Sequence, residues 1–294
     1  MSSFPSSSNY TRTDLACEAG RPETEHKEEI LYPLPHREGI HILRCREADG
    51  HRYITVSCGR ITLLGDRMLS ALGRLIGKEL RALAAALLGN PPNADTRILV
   101  AGLGNPDMTA DAIGPFTVRR LTATRHLKCH DAAAYTALGC SELSATAPGV
   151  LGQTGIESGE LVKGAVAHVR PHLLIAIDAL AARSCARLAS TIQISDGGIS
   201  PGAGVGNNRM AMDKETMGCP VIGVGIPTVV NSSTLVYDAL AQGGMSEQIS
   251  SGLKDILENG KSFFVSPKDA DEITELSSRL LAGAIDHAFG IGEL

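Results

Sequence analysis

The stretches RILVAGLGNPDMTADAIGP (97–115) and HLLIAIDALAARS (172–184) decide the fold. Each begins with a short, unbroken apolar run. A strand buried on both faces reads this way, because helices cover both sides of a parallel sheet. Each run then meets an aspartate, Asp111 in the first stretch and Asp178 in the second. A carboxylate beside a buried strand is costly to keep charged, so chemistry, a ligand or a helix cap must account for it.

Working outward, residues 112–127 and 154–170 read as helices. Thr154 and Glu157 are spaced like a capping box at the start of the second. TIQIS (191–195) and PVIGVGIP (220–227) read as further strands, and helices are expected near 231–243, 246–257 and 268–288. Toward the N-terminus, IHILRC (40–45) and RYITVSC (52–58) form an expected hairpin about Asp49-Gly50. Residues 66–88 have apolar positions at helical spacing and stop at Gly89-Asn90-Pro91-Pro92. Residues 1–11 are Ser-rich and polar, and 21–38 read as a charged, Pro-containing linker. Strands alternating with helices predict an α/β fold with a mostly parallel, doubly wound sheet and a small N-terminal hairpin extension.

Composition narrows the function. A net charge of −5 argues against a nucleic-acid binder, which would carry a basic stripe. The seven Cys are odd in number and contain no C-x-x-C pair, so reduced thiols in the cytoplasm are expected. No apolar signal region and no membrane-length apolar run occur, so no membrane partner is expected. No metal spacing such as H-E-x-x-H is present among the nine His, and no cofactor is expected.

GLGNPD (102–107) supplies a Gly-x-Gly turn at Gly102 and Gly104, but Asn105-Pro106 interrupts the dinucleotide pattern. A tight strand-to-helix turn is the simpler reading. Asp111, just before a predicted helix, has the form of an N-cap. Asp178 has less structural excuse, because ligands of open sheets bind at the carboxyl ends of strands. If both carboxylates face one crevice, repulsion and burial raise one pKa, as acid–base hydrolysis requires. The pair is equally suited to a divalent metal. SDGGISPGAGVGNNR (195–209) is Gly-dense, and its Gly204 and Asn207 are candidates to support a bound peptide. Pro227 and Thr228 lie just past a strand, again at the functional edge. His126, Ser184 and Cys185 carry no supporting motif and read as structural.

Taken together, AGLGNPDMTADAIGPFTVRRLTATRHL, PGVLGQTGIES, the segments from LLIAIDALAARS to GVGNNR, and KETMGCPVIGVGIPTVVNSSTLVYD resemble the germination proteases of endospore-forming bacteria. The resemblance runs in order from RTDLACEAG (12–20) to VSPKDADEITELSSRLLAGAIDHAF (265–289). It implies an atypical aspartic-type endopeptidase that starts the degradation of small acid-soluble spore proteins. It implies a fold similar to hydrogenase maturation endopeptidases, a homotetramer, and a location in the cytoplasm of the forespore or spore core. The family's two essential aspartates fall on Asp111 and Asp178. Its zymogens are cut within RTDLA, which maps to the Asp14–Leu15 bond and divides the protein into a propeptide (1–14) and one peptidase domain (15–294). The sequence departs from the family pattern at Ala110, where Pro is usual, at Asp107, a third carboxylate near the site, and in a shortened 244–265 segment. The runner-up is a metal-using peptidase of the hydrogenase-maturation kind. GLGNP also resembles peptidyl-tRNA hydrolase, but the acidic charge and the lack of a nearby His weigh against it.

Overall fold

A computed structural model describes residues 13–15, 18, 24–34, 37–47, 50–202, 209–245, 249–259 and 263–292. Its strands are β1 (Thr24–Leu34), β2 (Arg37–Glu47), β3 (Arg52–Ser57), β4 (Arg97–Gly102), β5 (Glu142–Thr146), β6 (Leu173–Ala182), β7 (Thr191–Ser195), β8 (Val221–Asn231) and β9 (Phe264–Val265). Its helices are α1 (Asp66–Leu88), α2 (Ile113–Arg120), α3 (Arg125–His130), α4 (Ala132–Leu138), α5 (Leu151–Thr154), α6 (Ser158–Val169), α7 (Lys214–Met217), α8 (Ser232–Gln242), α9 (Ser251–Asn259) and α10 (Ala270–Ala288).

The strands form one sheet in the order β1-β2-β3-β7-β8-β6-β4-β5, with β9 added to β8. The fold is α/β as expected, but the sheet is mixed rather than mostly parallel. Only β5, β4, β6 and β8 run parallel to one another. The pairings of β8 with β7, β7 with β3, β3 with β2 and β2 with β1 are all antiparallel. Among the described residues, the connection from β7 to β8 contains no helix longer than the four-residue α7, whereas a parallel crossover uses a longer helix.

The expected hairpin exists as β2 and β3, with Gly50 at φ +87°; Asp49 lies outside the described residues. It is not a small extension, because β3 pairs with β7 and joins the main sheet. Residues 24–34, expected as linker, are the strand β1. Its Pro33 is tolerated because β1 is an edge strand, paired on one side only, and the register slips between Tyr32 and Leu34.

The helix expected over 112–127 ends at Arg120. Thr122 and Thr124 follow, and their hydroxyls bond elsewhere: Thr122 donates to Asp286, and Thr124 to the Ser141 carbonyl while accepting from Leu143 N–H. Such hydroxyls compete with helical hydrogen bonding. His126 therefore lies in α3 and not at the end of a long helix. The predicted capping box also moves. Gly155, at φ +73°, ends α5 at Thr154, and the box is made by Glu157 and Glu160 at the start of α6. Helix α1 begins and ends as expected, closed by Gly89 in the left-handed conformation.

Alternation along the strands sorts the core into two layers. Ile98, Val100, Ile175, Ile177, Ile192 and Ile194 face α1 and α10, where they meet Leu72, Ile76, Leu80, Leu281 and Ile285. Leu99, Ala101, Leu174, Ala176 and Val221 face the other way, toward Val162 and Val166 of α6 and Met217 of α7. Among the described residues, no helix is long and apolar enough to cross a membrane.

Candidate active site

The parallel register places the two aspartates. Gly102 is the last residue of β4 and pairs with Ile177 of β6. Asp178, the next residue, therefore stands just past the end of β4. Its own strand does not stop there: β6 continues to Ala182, with Asp178 level with Gly225 of β8. The carboxylate is held on a rigid strand and is at the carboxyl end only of its neighbour.

Asp111 arrives on the turn that follows β4. Gly104, at φ +109°, reverses the backbone after β4, and a Cβ there would lie 1.9 Å from the Asp111 carbonyl oxygen. Only glycine fits this turn. A Cβ on Gly102 would likewise lie 2.2 Å from the Gly114 carbonyl oxygen, so Gly102 lets α2 approach the strand. Asp111 ends a short 3-10 helix, Thr109–Asp111, and does not cap α2, whose N-cap Ala112 has no side-chain bond. Instead its Oδ2 accepts the Asn105 N–H at 2.7 Å. The turn is pinned further by Thr228, whose Oγ1 donates to the Ala110 carbonyl at 2.6 Å, and by Thr274, which donates to Thr109 O at 2.9 Å.

Both carboxylates line a cleft of about 460 Å³, together with Asp14, Gly104, Met108, Arg209, Thr228 and Phe264 among others. Burial pushes the Asp178 carboxyl well above the ordinary carboxylate range, and the negative Asp111 and then Asp14 push it further. The Ala179 N–H, 2.9 Å from Asp178 Oδ1, and Arg209 pull the other way. Burial also raises Asp111, opposed by the Asn105 N–H and Arg209. Two coupled carboxylates, with Asp178 the more strongly shifted, can divide the roles of proton holder and base. Among the described residues, no group of three or more His, Cys, Asp or Glu side chains is arranged to hold a metal ion.

The N-terminal segment occupies one end of this cleft. Asp14 donates its N–H to Ala181 O at 3.0 Å, and Asp14 Oδ2 accepts from Ala181 N–H at 2.8 Å. Leu15 is fully buried against Leu180, Ala182 and Val230. Glu18, also buried, accepts from Thr13 Oγ1 at 2.6 Å and from the Arg183 and Ser184 N–H groups at 2.7 and 3.1 Å. An adjoining cavity of about 260 Å³ runs past Thr13, Asp14 and Leu15 toward Gly223 and Gly225.

Of the candidates from sequence, Asp14, Asp111, Asp178, Gly104 and Thr228 line the cleft, and Leu15 lines the adjoining cavity. Gly102 and Asn105 act through backbone approach and the Asp111 hydrogen bond. Pro227 is buried in β8, at the register shift opposite Leu180 and Ala181, and does not line the cleft. Gly204 and Asn207 lie outside the described residues. Asp107 is exposed, its carboxylate accepting from Gln153 Nε2 at 2.8 Å. Sequence reasoning missed Arg209 and Glu18. Arg209, a cation closing a Gly-dense loop, left a faint signal. Glu18 left none, because its backbone partners lie far along the sequence.

A family model described as germination protease matches residues 43–242. The germination protease of Clostridium acetobutylicum is 36% identical, over 95% of this chain and 95% of that protein. That of Clostridium perfringens is 39% identical over 81% of this chain and 77% of that protein. That of Halalkalibacterium halodurans is 51% identical over 50% of this chain and 39% of its own length. With a family match over two thirds of its length and one relative aligned nearly end to end, the chain belongs to the germination proteases, a family of endopeptidases.

Proposed function

We propose that this endopeptidase starts the degradation of small acid-soluble spore proteins during germination, with Asp111 and Asp178 as an acid–base pair acting on water. The observation that carries the reading is that one cleft holds both carboxylates and Asp14, with Leu15 in the cavity adjoining it. The more buried Asp178 holds a proton, and Asp111 takes one from the attacking water. The Asp14–Leu15 bond is the processing site of a zymogen, with a propeptide of residues 1–14 and a peptidase domain of 15–294. An acidic residue followed by a buried leucine resembles the acidic-then-apolar bond expected in the substrates. Family membership supports the further proposals of a homotetramer, a location in the spore-core cytoplasm, and a fold related to hydrogenase maturation endopeptidases.

Mass spectrometry of the N-terminus tests the reading. The wild-type protein is expected to yield a species beginning at Leu15. Asp111→Asn and Asp178→Asn are each expected to remain full length and to leave an acid-soluble spore protein uncut. Processing at the wild-type rate in either variant would sink the acid–base pair. The same assay with a chelator separates the runner-up: loss of cleavage, restored by one added divalent metal, would replace the proton-sharing pair by a metal-binding one.

A further inference from the structure

We propose that Gln193 is a third catalytic residue, the donor that stabilises the oxyanion formed at the scissile carbonyl. The inference rests on the reading of Asp14–Leu15 as a bond this site cleaves. The carbonyl of that bond belongs to the backbone of Asp14. Its oxygen accepts a hydrogen bond from Gln193 Nε2 at 2.9 Å.

The sheet explains how a glutamine comes to be there. Gln193 on β7 is level with Gly225 of β8, and Gly225 is level with Asp178 of β6. Residues level across adjacent strands project to the same face. Gln193 and Asp178 therefore flank Gly225 on one face, with Cα atoms about 10 Å apart at ordinary strand spacing. Ile192 and Ile194, the neighbours of Gln193, turn to the opposite face and enter the main core. Gly225 leaves the space above it to the Leu180 side chain. A Cβ on it would meet the Leu180 side chain at 2.5 Å, and Leu180 is the residue against which Leu15 packs. Gln193 itself is buried, at 9% exposure, where a hydrogen bond to a developing charge counts for more than in water.

The step balances without any other reactant. A water oxygen bonds to the Asp14 carbonyl carbon while one water proton passes to the ionised carboxylate of the pair. The carbonyl π electrons move onto the oxygen facing Gln193 Nε2. When that tetrahedral carbon collapses, the C–N bond breaks, its electron pair goes to the Leu15 nitrogen, and the protonated carboxyl gives that nitrogen a proton. The amide changes no bond of its own. It holds the oxygen through the step in which the charge is greatest.

A purely tethering glutamine would act on docking rather than on rate, so the test measures both in the full-length protein. Gln193→Met removes the N–H donors at nearly constant volume, and Gln193→Glu keeps the shape. Each is expected to slow first-order cleavage at Asp14–Leu15 by about 10²–10³-fold near neutral pH. The Ala181 amide, whose acceptor is Asp14 Oδ2, is expected to keep its hydrogen-exchange protection. Cleavage within about threefold of wild type in either variant would overturn the inference, since an oxyanion donor acts on the transition state. So would a loss of rate matched by loss of Ala181 protection. Asp178→Asn, run alongside, separates the two levels. If it is inert while Gln193→Met is fully active, only the role of Gln193 fails. If it too cleaves normally, the acid–base reading falls first.

Discussion

The two faces of the sheet are finished differently. One is roofed by two long helices, α1 of 23 residues and α10 of 19, over the larger core cluster. The other carries α6, of 12 residues, and the single-turn α7. Among the described residues, the part of that face beside Leu180 and Gln193 is covered not by a helix but by residues 13–15 and 18. Helical cover is what makes the first face stable. Its incompleteness on the second face gives a peptide backbone access to buried carboxylates.

This contrast can be broken from either side. The largest expected loss is on the roofed face. Leu80→Ala in α1 removes a fully buried side chain, and urea unfolding should show a cost of about 2–5 kcal/mol. Self-cleavage by the folded fraction should be unchanged; a large drop would mean that the roof also shapes the cleft. On the open face, Glu18→Gln is expected to cost about 1.5–3 kcal/mol, confined to docking, because Glu18 accepts three hydrogen bonds as a charged group. Faster hydrogen exchange at Arg183 and Ser184 with an unmoved urea midpoint would show this. A shifted midpoint would make the segment part of the global core.

Two carboxylates probe the same contrast more gently. Asp178 has a folded-state pKa above its unfolded value, so its contribution is most favourable below the unfolded value and is lost as pH rises. Asp178→Asn should therefore melt above wild type at pH 7 while losing activity, with the gap closing toward pH ~3.9, the unfolded carboxylate pKa. Thermal melts at several pH values give the answer, and a gap that widened on acidification would contradict it. The smallest effect is expected at Asp286 on the roofed face. Burial raises it to about 6 against the Thr122 N–H and hydroxyl, so wild-type stability should fall as pH climbs through about 6. Asp286→Asn should flatten that slope without touching cleavage.

What the sequence made legible follows from how local each signal is. Helix α1 was readable at both ends, because its apolar period is regular and Gly89 and the two prolines stop it. The runs before Gly102 and Asp178 were readable because doubly buried strands have no polar residues to confuse them. Strand direction was not, since TIQIS looks the same parallel or antiparallel, and β1 hid behind its charges and Pro33. Within the site, both aspartates could be chosen from their place beside apolar runs. The actual partner of Asp111, a backbone N–H six residues back, depends on the left-handed turn at Gly104. Gln193 and Glu18 meet distant backbone groups across 179 and up to 166 positions of sequence. No pattern within TIQIS or RTDLACE announces such contacts.

The docked segment also sets a threshold for any peptide arriving from solution. Residues 13–15 are covalently joined to the body they sit on, so they compete at an effective concentration on the order of millimolar, however dilute the protein is. A free peptide at micromolar concentration is outnumbered about a thousandfold by that tethered rival. Cutting the tether at Asp14–Leu15 would let the fragment upstream of Leu15 dilute into bulk solvent. One hydrolysed bond would thus convert a permanent local competitor into a vanishing one, and no binding step could reverse it.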